Sequence, residues 1–313
     1  MQIVLQIFLL IIGFTLLVKG ADFFVDGAAG IADKLGIPQL VVGLTIVAMG
    51  TSLPEASVSI VAALRGSAEI TIGNVIGSNI LNVLIILGLS SAIRSIAVQD
   101  STVRYEIPFT IFVTVVLTGL GLIDNMIGRT EGIILWLLMV VYLAYLMRMA
   151  KNGKAISDNV SKQIRPVWQL MIMVFVGGAM IMAGSDITVD SATKLARFFG
   201  ISERFIGLTI VALGTSLPEL VTSVVAAKKG NADIAIGNIV GSNIFNILFV
   251  VGTAAIITPV VYSNGFLADS IVAIAAMFLL LGLVLPNREL NRKGGITMLI
   301  SYAAYFCYLI IAK

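Results

Sequence analysis

The sequence predicts an all-α polytopic membrane protein: ten transmembrane helices arranged as two inverted five-helix repeats, with both termini outside. Three observations carry this reading. Of 313 residues, 58% are hydrophobic and only 12% charged, about half the charged share of a soluble domain. Apolar runs of spanning length recur ten times along the chain. A shift of 164 residues lays the second half of the sequence on the first.

The composition also excludes several kinds of chemistry. The chain has no histidine and one cysteine, Cys307. An internal disulfide, a His/Cys zinc or haem site, and Ser-His-Asp or Cys-His catalysis are therefore ruled out. The chain is too apolar to be disordered. Its net charge of +3 comes from sparse cations, which read as membrane-flanking charge and not as a nucleic-acid surface.

A spanning helix needs about 20 mostly apolar residues. The runs lie near 3–24, 38–63, 70–92, 105–123, 131–149, 167–185, 203–227, 234–258, 266–285 and 295–312. The first lacks the basic start of a signal peptide and is too long for its apolar region, so it counts as a span. Ten spans put both termini on one side of the membrane. Fourteen of the 20 Lys and Arg residues fall after odd-numbered spans and six on the opposite face. The positive-inside rule then places both termini outside. Residues 150–166, with Lys151, Lys154, Lys162 and Arg165, form a cytoplasmic linker between the repeats 1–149 and 167–313. That linker is too short to fold as a regulatory domain.

The repeat is specific. GLTIVAMGTSLPE at 43–55 matches GLTIVALGTSLPE at 207–219, and IGNVIGSNILN at 72–82 matches IGNIVGSNIFN at 236–246. Between 43 and 82, about 27 of 40 positions are identical. A weaker match joins GADFFVDGA (20–28) to GSDITVDSA (184–192). Shared helix packing would preserve hydrophobicity, not Thr-Ser-x-Pro-Glu in order. Each half holds five spans, an odd number, so the second copy enters the membrane from the opposite side. Inverted repeats of this kind imply alternating access around a midplane site between the halves.

Glu55 and Glu219 are the acidic residues that fall deep within spans, and they are repeat equivalents. A central charge costs at least about 2.5–3.5 kcal/mol on insertion scales, so it must face a cavity or a partner. No Lys or Arg is expected at that depth. The missing counter-charge is most simply a bound cation, with a proton as the competing occupant. Thr51 and Ser52 share the helix face of Glu55. Pro54 deprives the Gly50 carbonyl of its helical donor, and Gly50 softens the helix. Thr215, Ser216, Gly214 and Pro218 repeat this setting around Glu219. On the following spans, Ser78 shares a face with Asn82, and Ser242 with Asn246. Hydroxyls, amides and freed carbonyls are hard ligands suited to Ca²⁺ or Na⁺.

Other polar residues have plainer readings. GNVIG at 73–77 and GNIVG at 237–241 read as close-packing positions, with Asn74 and Asn238 bonding across helices. Asp22, Asp26, Asp186 and Asp190 lie near span ends, where capping or interfacial roles are common, the alternative being an ion vestibule. The 12 methionines read as core filling.

The paired GTSLPE segments, each followed by IGNxxGSNxxN, resemble the two α-repeats of Na⁺/Ca²⁺ exchangers within the Ca²⁺/cation antiporter superfamily. The length and minimal central loop are similar to the short prokaryotic members. The resemblance implies exchange of Na⁺, about three ions, for one Ca²⁺, with no cofactor. It implies that Glu55 and Glu219 are central ligands shared by the Ca²⁺ and Na⁺ sites, and that Thr51 and Thr215 offer carbonyls to Ca²⁺. Ser52, Ser78, Ser216 and Ser242 would serve Na⁺, the carbonyls of Ala48 and Ala212 would complete outlying Na⁺ sites, and Asn82 and Asn246 would lie mid-cluster. Some relatives carry Asp in place of Asn246, so the site here holds two carboxylates and not three. The expected setting is a prokaryotic plasma membrane, with lipid and inorganic cations as the only partners and the monomer as the working unit.

Two other classes remain open on sequence alone. A Ca²⁺/H⁺ or K⁺-coupled antiporter would share the architecture, although the proton-coupled relatives resemble one another around GNxxE, where both copies here read GTSLPE. A channel would more naturally use oligomeric rings of ligands. An intramembrane protease needs paired Asp or His ligands that are missing at this depth.

Overall fold

A computed structural model describes residues 2–66, 68–153, 165–200, 212–263 and 265–311. The helices in chain order are α1 (Gln2–Leu35), α2 (Gln39–Thr51), α3 (Leu53–Leu64), α4 (Ile70–Ile93) and α5 (Thr102–Asp124), then α6 (Arg129–Gly153) and α7 (Val167–Phe198). They continue with α8 (Ala212–Thr215), α9 (Leu217–Lys229), α10 (Ala232–Ile257), α11 (Gly265–Val284) and α12 (Arg292–Ile311). Among the described residues, seven are long and apolar enough to cross a membrane, and the bent pair α2–α3 raises this to eight. The expected span at 203–227 falls partly on 201–211, outside the described residues. The expected span at 295–312 corresponds to α12, whose 20 residues reach about 30 Å and open on Arg292 and Lys293.

The helix ends follow local chemistry, and they repeat. Gly36 and Gly200, equivalent under the 164-residue shift, close α1 and α7 with φ of 64° and 75°. Gly66 and Gly230, likewise equivalent, stop α3 and α9 with φ of 77° and 85°. Only glycine takes that left-handed conformation without strain. Pro54 and Pro218 stand at the starts of α3 and α9, where the missing N–H is no loss.

Helices α4 and α10 form the centre and are mostly buried, whereas α1, α6 and α7 turn most of their apolar surface outward. Val4, Phe8, Ile123, Leu137 and Phe175 are all well exposed, a surface that suits lipid and not water. Helices α1 and α7 run antiparallel and pack closely. A Cβ on Gly177 would lie 2.6 Å from the Phe24 nitrogen and 2.7 Å from the Gly20 carbonyl, and one on Gly184 would lie 2.8 Å from the Gly13 carbonyl. The facing glycines are spaced by seven along each helix, so the two backbones touch along a continuous seam.

Two short antiparallel ladders tie the halves together. Strand β1 (Ile96–Ala97) pairs with β4 (Glu289–Leu290), and β2 (Met126–Ile127) pairs with β3 (Val260–Val261). Under the 164-residue shift β1 maps onto β3, and β2 falls one residue along from β4 and overlaps it. Each ladder thus joins the segment after the third helical unit of one half to the segment after the fourth unit of the other.

Candidate ion-binding site

The site forms where two helices break. Ser52 separates α2 from α3 with φ −82° and ψ 7°, and the axis turns by 49° there. Ser216 separates α8 from α9 with φ −92° and ψ 5°. Glu55 and Glu219 each sit in the first turn of the segment that follows. A helix N-terminus carries partial positive charge and favours a carboxylate. Both glutamates are fully buried.

The two halves hold each other's carboxylate. The Ser52 hydroxyl donates to Glu219 Oε1 at 2.9 Å, and the Ser216 hydroxyl donates to Glu55 Oε1 at 3.3 Å. Behind them, Asn74 Nδ2 donates to the Glu55 carbonyl at 3.2 Å and to Ser59 Oγ at 3.0 Å. Its equivalent Asn238 donates to the Glu219 carbonyl at 3.4 Å and to Ser223 Oγ at 2.9 Å. These bonds run between helices, as expected for Asn74 and Asn238, and they clamp each half-helix to its neighbour. The Thr51 hydroxyl adds a bond to Asn238 Oδ1 at 3.0 Å.

The Gly214 carbonyl accepts the Ser185 hydroxyl of α7 at 2.9 Å. Gly50 has the Phe24 ring against it, since a Cβ there would lie 2.9 Å from Phe24 Cζ. Of the four glycines expected to be close-packing positions, Gly237 and Gly241 are, whereas among the described residues a Cβ on Gly73 would come no nearer than 3.5 Å to the Phe266 ring and one on Gly77 would meet nothing within 4 Å. A Cβ on Gly241 would lie 2.8 Å from Leu44 Cα.

Helices α4 and α10 cross through four amides. Asn79 Nδ2 donates to the Asn243 carbonyl at 3.1 Å, and Asn243 Nδ2 to the Asn79 carbonyl at 3.3 Å. Asn82 donates to Asn243 Oδ1 at 3.0 Å, and Asn246 to Asn79 Oδ1 at 3.2 Å. Helical turns of wider, π-type pitch begin at Asn82 and Asn246, a device frequent at functional sites.

The residue of this bonding is informative. Among the described residues, Glu55 Oε2, Glu219 Oε2, Asn82 Oδ1 and Asn246 Oδ1 are buried and have no hydrogen-bond partner. All four are acceptor oxygens. An unmade bond at a buried polar atom costs about 1–3 kcal/mol, more at a charged one. A hard cation would supply what they lack.

Comparison with known proteins gives the chain's family and fold relatives. The family model described as sodium/calcium exchanger protein matches residues 5–148 and again 169–311. The chain belongs to the sodium/calcium exchanger family. It is 40% identical over 314 residues to a protein of Alkalimonas amylolytica assigned as the antiporter CaxA, covering 97% of this chain and 98% of that one. It is 30% identical to the sodium/calcium exchanger MaX1 of Methanosarcina acetivorans over 98% of this chain and 99% of that one. Its fold is similar to that of the sodium–calcium exchanger NCX_Mj in crystals soaked with 10 mM Na⁺ and zero Ca²⁺. There the TM-score is 0.86 at 31% identity, over 98% of this chain and 99% of that one.

Of the twelve residues the exchanger resemblance singles out, the structure buries Thr51, Ser52, Glu55, Ser78, Asn82, Ser216, Glu219, Ser242 and Asn246 together with Ala48. Thr215 is half-buried. The Ala48 carbonyl already accepts the Ser242 hydroxyl at 3.3 Å and the Thr51 hydroxyl at 3.3 Å, so a cation there must share it. Ala212 opens α8, next to residues outside the described set.

Sequence reasoning missed Asn79 and Asn243, which join the two halves at their crossing. The signal was present, as the middle Asn of the three in each IGNxxGSNxxN. It also counted only Glu55 and Glu219 as deep carboxylates. Glu106, expected at a span's edge, is 1% exposed because α6 covers it and the Tyr145 hydroxyl bonds it. It belongs to the outer α5–α6 pair and not to the central cluster.

Proposed function

We propose that the chain is a secondary antiporter that exchanges Na⁺ for Ca²⁺ by alternating access, with both ions competing for Glu55 and Glu219. The observation that carries this is the reciprocal carboxylate pair, whose two Oε2 atoms, with the Oδ1 atoms of Asn82 and Asn246, are buried without a partner among the described residues. Two carboxylates are neutralised by one Ca²⁺. Three Na⁺ leave a net charge of +1, so one of them is placed apart among hydroxyls and carbonyls. In this reading Glu55 and Glu219 are central ligands and Thr51 and Thr215 present carbonyls to Ca²⁺. Ser52, Ser78, Ser216 and Ser242, with the carbonyls of Ala48 and Ala212, serve Na⁺. Asn82 and Asn246 face the cluster.

The membrane layout is part of the same proposal: ten spans, two inverted repeats of 1–149 and 167–313, and both termini outside. The exchanged strand ladders support it. An in-plane pseudo-two-fold puts the third-to-fourth connection of one half on the same face as the fourth-to-fifth connection of the other, and those are the segments that pair. The long helices α1 and α7, bound to each other along their glycine seam, are suited to move together over the site. The chain works as a monomer in a prokaryotic plasma membrane, with lipid and inorganic cations as its partners.

The test is Ca²⁺ flux in proteoliposomes under an imposed Na⁺ gradient, repeated across a pH series. An outward Na⁺ gradient should drive Ca²⁺ uptake, carrying net charge. Uptake driven by a pH gradient and indifferent to Na⁺ would replace Na⁺ with H⁺ as the coupling ion. Dependence on K⁺ would assign a K⁺-coupled exchange, and flux without any counter-ion would make the protein a channel.

A further inference from the structure

The weaker repeat, GADFFVDGA against GSDITVDSA, is not used by the ion site, yet it keeps two aspartates in register. Asp22 and Asp26 of α1 correspond to Asp186 and Asp190 of α7. The same shift takes Lys229, at the end of α9, to Arg65, at the end of α3. Both halves thus carry the same charge set: one cation at the end of the bent helix and two carboxylates on the long outer helix.

Only one of the two sets is engaged. Lys229 Nζ lies 2.7 Å from Asp26 Oδ1 and 3.2 Å from Asp22 Oδ1, and it also donates to the Asp22 carbonyl at 3.1 Å. Arg94 donates to the adjoining Lys228 carbonyl at 2.8 Å and steadies the end of α9. In the other half, Arg65 and Asp186 make no ion pair among the described residues, and Asp190 is held by Lys194 of its own helix at 2.5 Å. The backbone agrees: α1 lies along α9, whereas α7 and α3 scarcely meet. The ion site itself is close to symmetric, so this difference belongs to the ends of the molecule.

We propose that these two charge sets are alternating latches, Lys229 to Asp22 and Asp26 in the state described here, and Arg65 to Asp186 and Asp190 in the state open to the other side. The inference rests on the alternating-access reading above. Exchanging the conformations of two inverted repeats exchanges which face is open, and it must also exchange which latch is closed. Lys194 has no counterpart in α1, where the equivalent residue is Gly30. Asp190 therefore has a competing partner that Asp26 lacks, so the Arg65 latch is the weaker of the two. Lys229, Arg65 and the four aspartates are positioning residues: they touch no transported ion and act by setting which face the site addresses.

The half-saturating Ca²⁺ concentration is measured at each membrane face, in right-side-out and inside-out vesicles, for the wild type, Lys229→Gln, Arg65→Gln and Lys229→Arg. Opening a latch enlarges the population exposed to its own face, so apparent affinity there should rise and at the opposite face fall. The expected shifts are about three- to tenfold for Lys229→Gln and smaller for Arg65→Gln, in opposite senses. Lys229→Arg should keep wild-type values. A mutation that only loosens the fold would move both faces the same way. Shifts in the same sense for both variants, or no shift at either face, would overturn the latch. Failure of the wild type itself to couple Ca²⁺ to Na⁺ would instead overturn the underlying reading.

Discussion

The centre of the molecule and its two ends obey the repeat differently. At the centre the bonds around the carboxylates and the amide crossing have twins 164 residues away: Ser52 and Ser216 hold the opposite carboxylates, Asn74 and Asn238 clamp the half-helices, and Asn79 and Asn243 exchange bonds. At the ends the charges are repeated but the contacts are not, since Lys229 pairs with α1 while Arg65 has no ion pair among the described residues. The difference separates two tasks. On the alternating-access proposal, a site that serves two faces alike would be built symmetrically, and the preference for one face would be held in pairs remote from the ion.

The strongest test of the symmetric centre is to neutralise each carboxylate in turn. Glu55→Gln and Glu219→Gln keep the side-chain shape and the serine bond but remove half of the pair's charge. Each should lower Na⁺-driven Ca²⁺ exchange by about 100-fold or more, because a buried ion that loses a charged partner forfeits about 3–5 kcal/mol. The two losses should be equal within a few-fold. Folded, purified variants with near wild-type flux would remove Glu55 and Glu219 from the site, and a strongly unequal pair would end the claim of symmetry.

Much of this centre was legible in the sequence because the repeat carries chemistry and not only hydrophobicity. GTSLPE specifies a bend, a carboxylate at a helix start and hydroxyls beside it, all local features. What was not legible depends on distant contacts. Glu106 is buried by Tyr145, which lies 39 residues away, and nothing near Glu106 announces that. Asp22 and Asp26 read as capping or interfacial residues because their partner, Lys229, lies more than 200 residues downstream. Helix periodicity gives the face on which a charge stands; the cross-helix partner comes only with the fold.

The amide crossing offers a subtler test. Asn82 and Asn246 each donate through Nδ2 to an amide oxygen on the facing helix, and each leaves its own Oδ1 unpartnered. Asn82→Asp or Asn246→Asp keeps the acceptor and removes the donor unless the new carboxyl is protonated. Ionised, it also adds a third negative charge that one Ca²⁺ no longer neutralises. Exchange should fall about tenfold relative to the wild type at alkaline pH. The variant-to-wild-type ratio should climb as pH drops and the new carboxyl takes up its proton. Flux measured from about pH 9 to pH 6 checks the sign. A ratio flat across that range in both variants would show that neither amide faces the ions.

The smallest expected effect discriminates most finely between the two halves. Ser52 donates to Glu219 at 2.9 Å and Ser216 to Glu55 at 3.3 Å. Hydrogen bonds to a charged group contribute about 1.5–3 kcal/mol when short and fully made, but a bound cation takes over part of that role. Ser52→Ala and Ser216→Ala should therefore each cost about three- to tenfold in exchange, with Ser52→Ala the larger because its bond is shorter. That inequality belongs to the state with the Lys229 latch closed. In a Lys229→Gln background the populations move toward the opposite state, where the two bonds trade lengths, and the difference between the serine variants should narrow or invert. If the inequality is the same in both backgrounds, the unequal bond lengths are a fixed property of the two halves and carry no information about which face is open.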